Sequence, residues 1–215
     1  MASTAPSPTV ISVPDSLLIF GGGGHGRVVA DAAMSCRRWV HILASDRNPE
    51  RARGELLPGV PFVDAGILAM TAAAVHVAIG DNAAREHEAK VMARSLATVC
   101  HPSAVISAQA RVGYGCFFAA SCVVAPGATV EDGAIINHGA VVDHDVRVGA
   151  YSHVAPNATL GGTAALGMRV LVGAGAVILP GISVADDDII GAGSVVRNSI
   201  AAAGVWAGVP ARRIA

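Results

Sequence analysis

From Ile106 to Val196 an apolar residue returns at every sixth position without a miss, through Val112, Phe118, Val124, Val130, Ile136, Val142, Val148, Val154, Leu160, Leu166, Val172, Ile178, Val184 and Ile190. Two positions before each stands a second register of mostly small residues, from Ala104, Ala110, Cys116 and Cys122 to Ala176 and Ser194, with Asp188 the one strong departure. A period of six fits neither the helical nor the strand period, and kept up over such a length it marks a repeat architecture. Each hexad supplies one short strand and one turn. Three hexads close a triangular coil whose large register fills the interior while the small register fits the corners. Gly127, Gly133, Gly139, Gly175, Gly181 and Gly193 begin their hexads, where a turn gains from a residue that tolerates unusual backbone angles. A β-sandwich would need turn signals about every 8–12 residues and strands of varied length. The spacing therefore predicts a parallel β-helix over 101–198.

Composition agrees with such a solenoid. Hydrophobic residues make up 53% of the 215-residue chain, charged residues 14% and aromatics 4%, a mix suited to packing from Val, Ala and Gly. So little charge on flat β faces predicts that other copies of the chain cover part of the outer surface. A net charge of −1 argues against nucleic acid or an anionic membrane as the main partner. No apolar run approaches the roughly 18 residues of a membrane span. Cys36, Cys100, Cys116 and Cys122 lack metal-type spacing and read as buried free thiols. Residues 1–16, rich in Ser, Thr and Pro with neither a basic start nor an apolar core, read as a loose leader and not a signal peptide, and the expectation that follows is a cytoplasmic protein.

Ahead of the hexads, Leu17 to Phe20 is a short apolar run that breaks into Gly21-Gly22-Gly23-Gly24-His25-Gly26 and continues as a helical stretch from Arg27. Strand, glycine turn and helix in this order let backbone N–H groups approach a phosphate at the positive end of the helix, although such turns also serve simply to pack helix on strand. A second strand, Val40 to Ala44, ends at Ser45-Asp46-Arg47, and Asp46 lies where a ribose-binding carboxylate would sit. A third, Ala74 to Ile79, closes on Gly80-Asp81-Asn82 before a helical stretch from Ala83. Residues 17–98 thus make a small α/β domain, half of a dinucleotide fold and enough to hold one nucleotide diphosphate. Residues 199–215, with Pro210 among glycines, form an irregular C-terminal cap.

Polar residues stand out against the small apolar hexads. His138, His144 and His153 fall within one coil, and Asp143 and Asp145 flank His144. His138 and His144 occupy equivalent turns on successive faces and point apart, while His153 lies between two inward positions and faces outward. A carboxylate beside a turn histidine can fix its tautomer and raise its basicity, which makes His144 a candidate general base with either Asp143 or Asp145 as its orienting partner. A nucleophilic mechanism is less attractive: Cys116 and Cys122 point inward, and no Ser stands in a strained elbow.

Several motifs in order resemble one family: Gly23-Gly24-His25-Gly26, Ser45-Asp46, Ile79-Gly80-Asp81-Asn82, His101-Pro102-Ser103-Ala104, Val142-Asp143-His144-Asp145, Tyr151-Ser152-His153-Val154 and Gly208-Val209-Pro210-Ala211. The chain is similar to the nucleotide-sugar N-acetyltransferases of the bacillosamine and perosamine type and their sialic acid O-acetyltransferase relatives. The resemblance implies a small N-terminal α/β, half-Rossmann-like domain followed by a left-handed parallel β-helix of hexapeptide repeats. The hand comes from the resemblance alone. It also implies His144 as general base with Asp145 orienting it, where some relatives carry Glu. The nucleotide-diphosphate site maps onto Gly23, Gly24, His25, Ser45, Asp46 and Gly80. Contacts to acetyl-CoA map onto His153 and, through backbone atoms, Ala174 and Ala192. Arg212 and Arg213 are added on charge as partners for the coenzyme phosphates.

The implied reaction moves acetyl from acetyl-CoA to the 4-amino group of a UDP- or GDP-linked 4-amino-4,6-dideoxyhexose in glycan biosynthesis. It proceeds by direct attack, without a metal, in a cytoplasmic homotrimer that places the coenzyme between neighbouring β-helices. The same base would serve a sugar hydroxyl, so a sugar O-acetyltransferase is the alternative. A zinc-dependent lyase that hydrates carbon dioxide would need three histidines converging across an interface and leaves the glycine turn and Asp46 without a role.

Overall fold

The computed structural model describes residues 16–64, 74–93 and 95–215; of the leader expected over 1–16, all but Ser16 lies outside these. The chain opens with a three-stranded parallel sheet in the order β2-β1-β5, built from β1 (Ser16–Phe20), β2 (His41–Ser45) and β5 (Ala74–Val77). Helix α1 (Gly24–Cys36) leaves the end of β1, and α2 (Asn82–Met92) follows β5, its first turn capped by the Asp81 carboxylate accepting the Ala84 N–H. A short antiparallel hairpin, β3 (Glu55–Leu57) with β4 (Val60–Pro61), was not legible in the hydrophobic pattern.

From Val99 the chain winds through two-residue strands, each paired in parallel with the strand eighteen positions on: Val123 with Val141, Thr129 with Arg147, Ile135 with His153. Three walls result, of 8, 6 and 5 strands. The apolar register points inward and is buried from Phe118 to Val196, together with the small register from Cys116 to Ala176. Val112, near the open N-terminal end, is exposed. Corner glycines such as Gly127, Gly139 and Gly193 have φ between 63° and 75°, the left-handed region that a side chain strains.

Asp188, the break in the small register, is fully buried, and its Oδ1 accepts the indole N–H of Trp206 at 3.1 Å. That bond anchors the tail. Part of the expected irregular cap is in fact regular: Val205–Ala207 adds a parallel strand to the first wall beside Ile189–Ile190, and Arg212–Arg213 folds back antiparallel on it. Of the four free thiols only Cys116 and Cys122 are buried, and burial pushes both up to about 12. Cys36 and Cys100 are half-buried, a departure from the sequence reading: Cys36 ends α1 at the edge of the α/β core, and Cys100 packs against the lumen cluster in its first coil, where the solenoid is still open.

The α/β layer sits on the first wall. Phe117 and Ile135 point outward from the coil and are nevertheless buried, in one core with Val29, Ala33 and Leu17 of the layer. Arg85 of α2 fastens the two polar edges. Its guanidinium, only 1% exposed, donates to the carbonyls of Ile79 and Gly80 on its own side and of Gly133 and Tyr151 on the solenoid. Nearby, Asn82 donates to the Arg169 carbonyl, and Arg169 pairs with Glu86.

Candidate active site

Most of the residues singled out in the sequence fall into two groups on different parts of the prism, with Ala174, Ala192 and Arg212 apart from both. The first surrounds a cavity of about 380 Å³ at the C-terminal ends of the parallel strands, lined by Gly21, Gly23, Gly24, His25, Asp46, Arg47, Arg51, Gly80 and Glu88 among others. Its size is within the roughly 300–1,000 Å³ of small-molecule sites. The glycines of the turn divide by what a side chain would meet. A Cβ on Gly26 would run into the Gly21 carbonyl and one on Gly21 into that of Ala78, so these two serve close helix-strand packing. Among the described residues, Gly23 and Gly24 have nothing within 4 Å of the same position. Their bareness serves no internal packing and leaves the start of α1, which no side chain caps, open to a ligand.

Asp46 lines the cavity with its carboxylate held in place, Oδ2 accepting from the Gly22 N–H and Oδ1 from the Asn48 N–H, both at 2.7 Å. Ser45 does not line it. The residue is buried at the end of β2, where its carbonyl accepts the Gly21 N–H, so it supports the turn from beneath. His25 reaches into the cavity from α1 with its ring edge-on to Phe117 and its Nε2 buried without a hydrogen-bond partner among the described residues. Burial, then the neighbouring His76 and His153, pull it down to about 3. It is therefore a neutral imidazole with one nitrogen available.

His153 stands 6.3 Å from His25, ring centre to ring centre. The spacing rule gave its direction correctly, outward from the coil, yet it faces the α/β layer and not solvent. Burial and then the Arg85 charge pull it down to about 4, against a hydrogen bond to the Gly80 backbone. The Asn137 side chain, whose Oδ1 accepts the His138 N–H, donates to His153 Nε2 at 3.0 Å. His153 is thus a neutral ring tied to the Gly80 loop. Ala174 and Ala192 lie on exposed turns at the corner between the first and second walls, one coil apart, and the Ala174 carbonyl accepts the Gly193 N–H. Arg212 is exposed on the tail, with Nη1 donating to the carbonyl of Ala211.

The second group stands at the corner between the second and third walls, the one opposite the wall that carries the α/β layer. His144 is exposed there, at 58% of its side chain, with Nδ1 3.0 Å from Asp145 Oδ2. Asp143 is occupied differently, its Oδ1 accepting the His144 N–H at 2.7 Å. Geometry thereby chooses between the two carboxylates. Asp145, at φ 58° in the left-handed corner position, holds the ring. Its hydrogen bond, followed by the Asp143 charge, raises the His144 pKa above the usual histidine value. With Nδ1–H donating to Asp145, Nε2 is free to accept a proton. The pair lies between two bare glycines of adjacent coils: a Cβ on Gly162 would overlap the imidazole and one on Gly127 the Asp145 carboxylate. His138 occupies the preceding corner, exposed, its carbonyl accepting the Asn157 N–H. Among the described residues no three His, Cys, Asp or Glu side chains are grouped to hold a metal ion, and no helix is long and apolar enough to cross a membrane.

Sequence reasoning missed Arg47, Glu88, Asn137, Arg85 and Gly162. Arg47, directly after Asp46, could have been found from its place at the end of the second strand. Nothing local points to the others.

Comparison with known proteins follows the same division. Residues 16–92 match the PglD N-terminal domain, residues 127–162 the bacterial transferase hexapeptide model of six repeats, and residues 109–144 and 164–198 the hexapeptide repeat of succinyl-transferase. The acetyltransferase domain of PglB from Neisseria gonorrhoeae is 31% identical over 93% of this chain and 100% of its own, with a TM-score of 0.86. The same domain has been solved in complex with acetyl coenzyme A, at 30% identity over 93% of this chain and 99% of its own, again with a TM-score of 0.86. A histidine-to-alanine variant of GDP-perosamine N-acetyltransferase from Caulobacter crescentus, in complex with CoA and GDP-perosamine, is 35% identical over 94% of this chain and 98% of its own, also with a TM-score of 0.86.

Proposed function

Since this chain belongs to the left-handed β-helix family of nucleotide-sugar N-acetyltransferases, we propose that it transfers acetyl from acetyl-CoA to the 4-amino group of a UDP- or GDP-linked 4-amino-4,6-dideoxyhexose. The open helix start at Gly23 and Gly24 takes the diphosphate, with Asp46 toward the ribose and His25 and Gly80 beside the sugar. The coenzyme runs along the corner of Ala174 and Ala192, where the Ala174 carbonyl is already engaged and the peptide N–H is what remains to donate. His153 lies at the inner end of that run and Arg212 near the phosphates.

One observation carries this reading furthest. The second wall presents Val105, Val123, Val141, Thr159, Val177 and Val195 outward as an apolar ladder, with Val105 62% exposed. The third wall presents Arg111, Thr129, Arg147, Ala165 and Ser183. Packing the valine wall around a threefold axis buries the ladder. It also brings the His144 corner at one edge of that wall against the Ala174 corner at the other edge of the next copy. Within one chain these edges lie apart, so the trimer completes the site.

In the assembled site the amine attacks the thioester carbonyl directly. The new C–N bond forms as the C–S bond breaks, His144 Nε2 takes the amine proton, and the departing CoA sulfur recovers it. No acyl-enzyme is needed. The test is a panel of UDP- and GDP-linked 4-amino-4,6-dideoxy sugars incubated with acetyl-CoA, with the product read by NMR. An amide at C4 is expected. An ester would make the protein a sugar O-acetyltransferase, and no CoA release with any member would defeat the proposal.

A further inference from the structure

One ion pair in the cavity, Arg47 with Glu88, takes no part in the acetyl transfer. Arg47 leaves the end of β2 and reaches past the end of β1 to α2, where its Nε and Nη2 meet the two carboxylate oxygens of Glu88 at 2.7 and 2.8 Å. Both residues line the cavity above the glycine turn. The two ends of the bridge differ in freedom: Glu88, on the helix, is only 11% exposed, whereas Arg47, on a loop, is 61% exposed. The arginine is the end that can move.

We propose that Arg47 is the cation that binds the diphosphate of the nucleotide sugar, and that Glu88 is its resting counter-ion, given up when the ligand enters. This rests on the cavity being the nucleotide site. Backbone N–H groups at a helix start are neutral donors, so a buried diphosphate needs a cation beside them; of the two arginines that line the cavity, Arg47 has its fork already held there by Glu88, whereas the exposed Arg51 side chain has no such partner among the described residues. A guanidinium fork fits two phosphate oxygens as it fits two carboxylate oxygens, so the exchange replaces one bidentate pair by another. Asp46, the other cavity carboxylate close to Arg47 in sequence, is held by two backbone N–H groups and does not compete for the fork. Glu88 does compete. After the exchange it also faces the phosphates as a like charge, so it lowers affinity on both counts.

The two ends of the bridge therefore have opposite expected effects on binding. Calorimetry on the full-length protein with GDP and with UDP, together with steady-state kinetics, reads them out. Arg47→Met should weaken binding of the nucleotide that the wild type takes by about tenfold or more, the usual worth of a charge-assisted hydrogen-bond pair. It should raise the KM for the sugar nucleotide and leave that for acetyl-CoA unchanged. Arg47→Lys should fall between. Glu88→Gln should tighten binding by about threefold or more. If the bridge only ties β2 to α2, both variants weaken binding and lower the melting temperature together, and that result overturns the proposal, as does unchanged affinity in Arg47→Met. A wild-type protein that binds neither nucleotide would overturn the cavity assignment and this inference with it.

Discussion

His144→Asn is expected to lower kcat by at least roughly a hundredfold, since a positioned general base contributes about 10²- to 10⁴-fold. The assembly and its melting temperature should stay close to wild type, because the imidazole lies outside the packed lumen and replacement by an amide of similar size at such a position changes stability by about 0.5 kcal/mol. Retention of more than about a tenth of wild-type kcat would exceed what loss of a base allows and would leave His144 a surface residue, with His153 the next candidate. Asp145→Asn supplies the matching pH test, and Asn tolerates the left-handed φ of 58° at that corner. Asp145 raises the His144 pKa, so in the wild type the base is lost to protonation as pH falls through a value above that of an ordinary histidine. Removing the carboxylate charge should carry the acid limb of kcat/KM to lower pH. A substrate ammonium would titrate at the same pH in both proteins, so an unmoved limb would assign it to the substrate.

Arg85→Met is expected to cost about 3 kcal/mol or more, on the scale of about 1–3 kcal/mol for each buried polar group left without a partner. The carbonyls of Gly133 and Tyr151 on the solenoid and of Ile79 on the α/β layer would all lose their donor in an interface closed to water. Among the described residues no carboxylate is hydrogen-bonded to Arg85, and burial pulls it down to about 10. Its removal therefore strands no opposite charge, and relief of that desolvation offsets part of the loss. Urea unfolding followed by tryptophan fluorescence at Trp39, in the layer, and Trp206, in the cap, should show the layer separating before the solenoid melts. Arg85→Lys should do almost as badly, because one ammonium cannot span carbonyls on both sides. A Met variant within about 0.5 kcal/mol of wild type would mean that water replaces the guanidinium at this joint.

The solenoid was legible because a six-residue period states directly which side chains enter the lumen, and nearly every inward assignment from Cys116 onward is buried. Asp188 looked like a defect because its partner Trp206 comes from the tail, beyond the repeat. The glycine turn was only half legible. Composition does not separate Gly21 and Gly26, which pack, from Gly23 and Gly24, which stay open, and only the space around each one does. The same limit hid the surroundings of His153, since periodicity gives a side chain's direction and not what stands opposite. Periodicity could not rank Asp143 against Asp145 either. That choice follows from the corner, where one carboxylate accepts a backbone N–H and the other meets the imidazole. Arg47 and Glu88 are 41 positions apart and meet only because the sheet order places the ends of β2 and β5 on either side of β1.

The proposed site takes its base from one copy and its nucleotide sugar from the next, and mixed trimers test this most directly. Gly23→Leu should fill the cavity without strain, since Gly23 has an extended backbone and nothing within 4 Å of its Cβ position. His144→Asn removes the base. Each variant alone should be nearly inactive. Co-expressed in equal amounts and allowed to assort at random around a closed ring, they should regain about a quarter of wild-type activity, because about one interface in four then pairs an intact corner with an intact cavity. Mixed trimers as inactive as their parents would show that each chain works alone, and the two-copy site would be wrong.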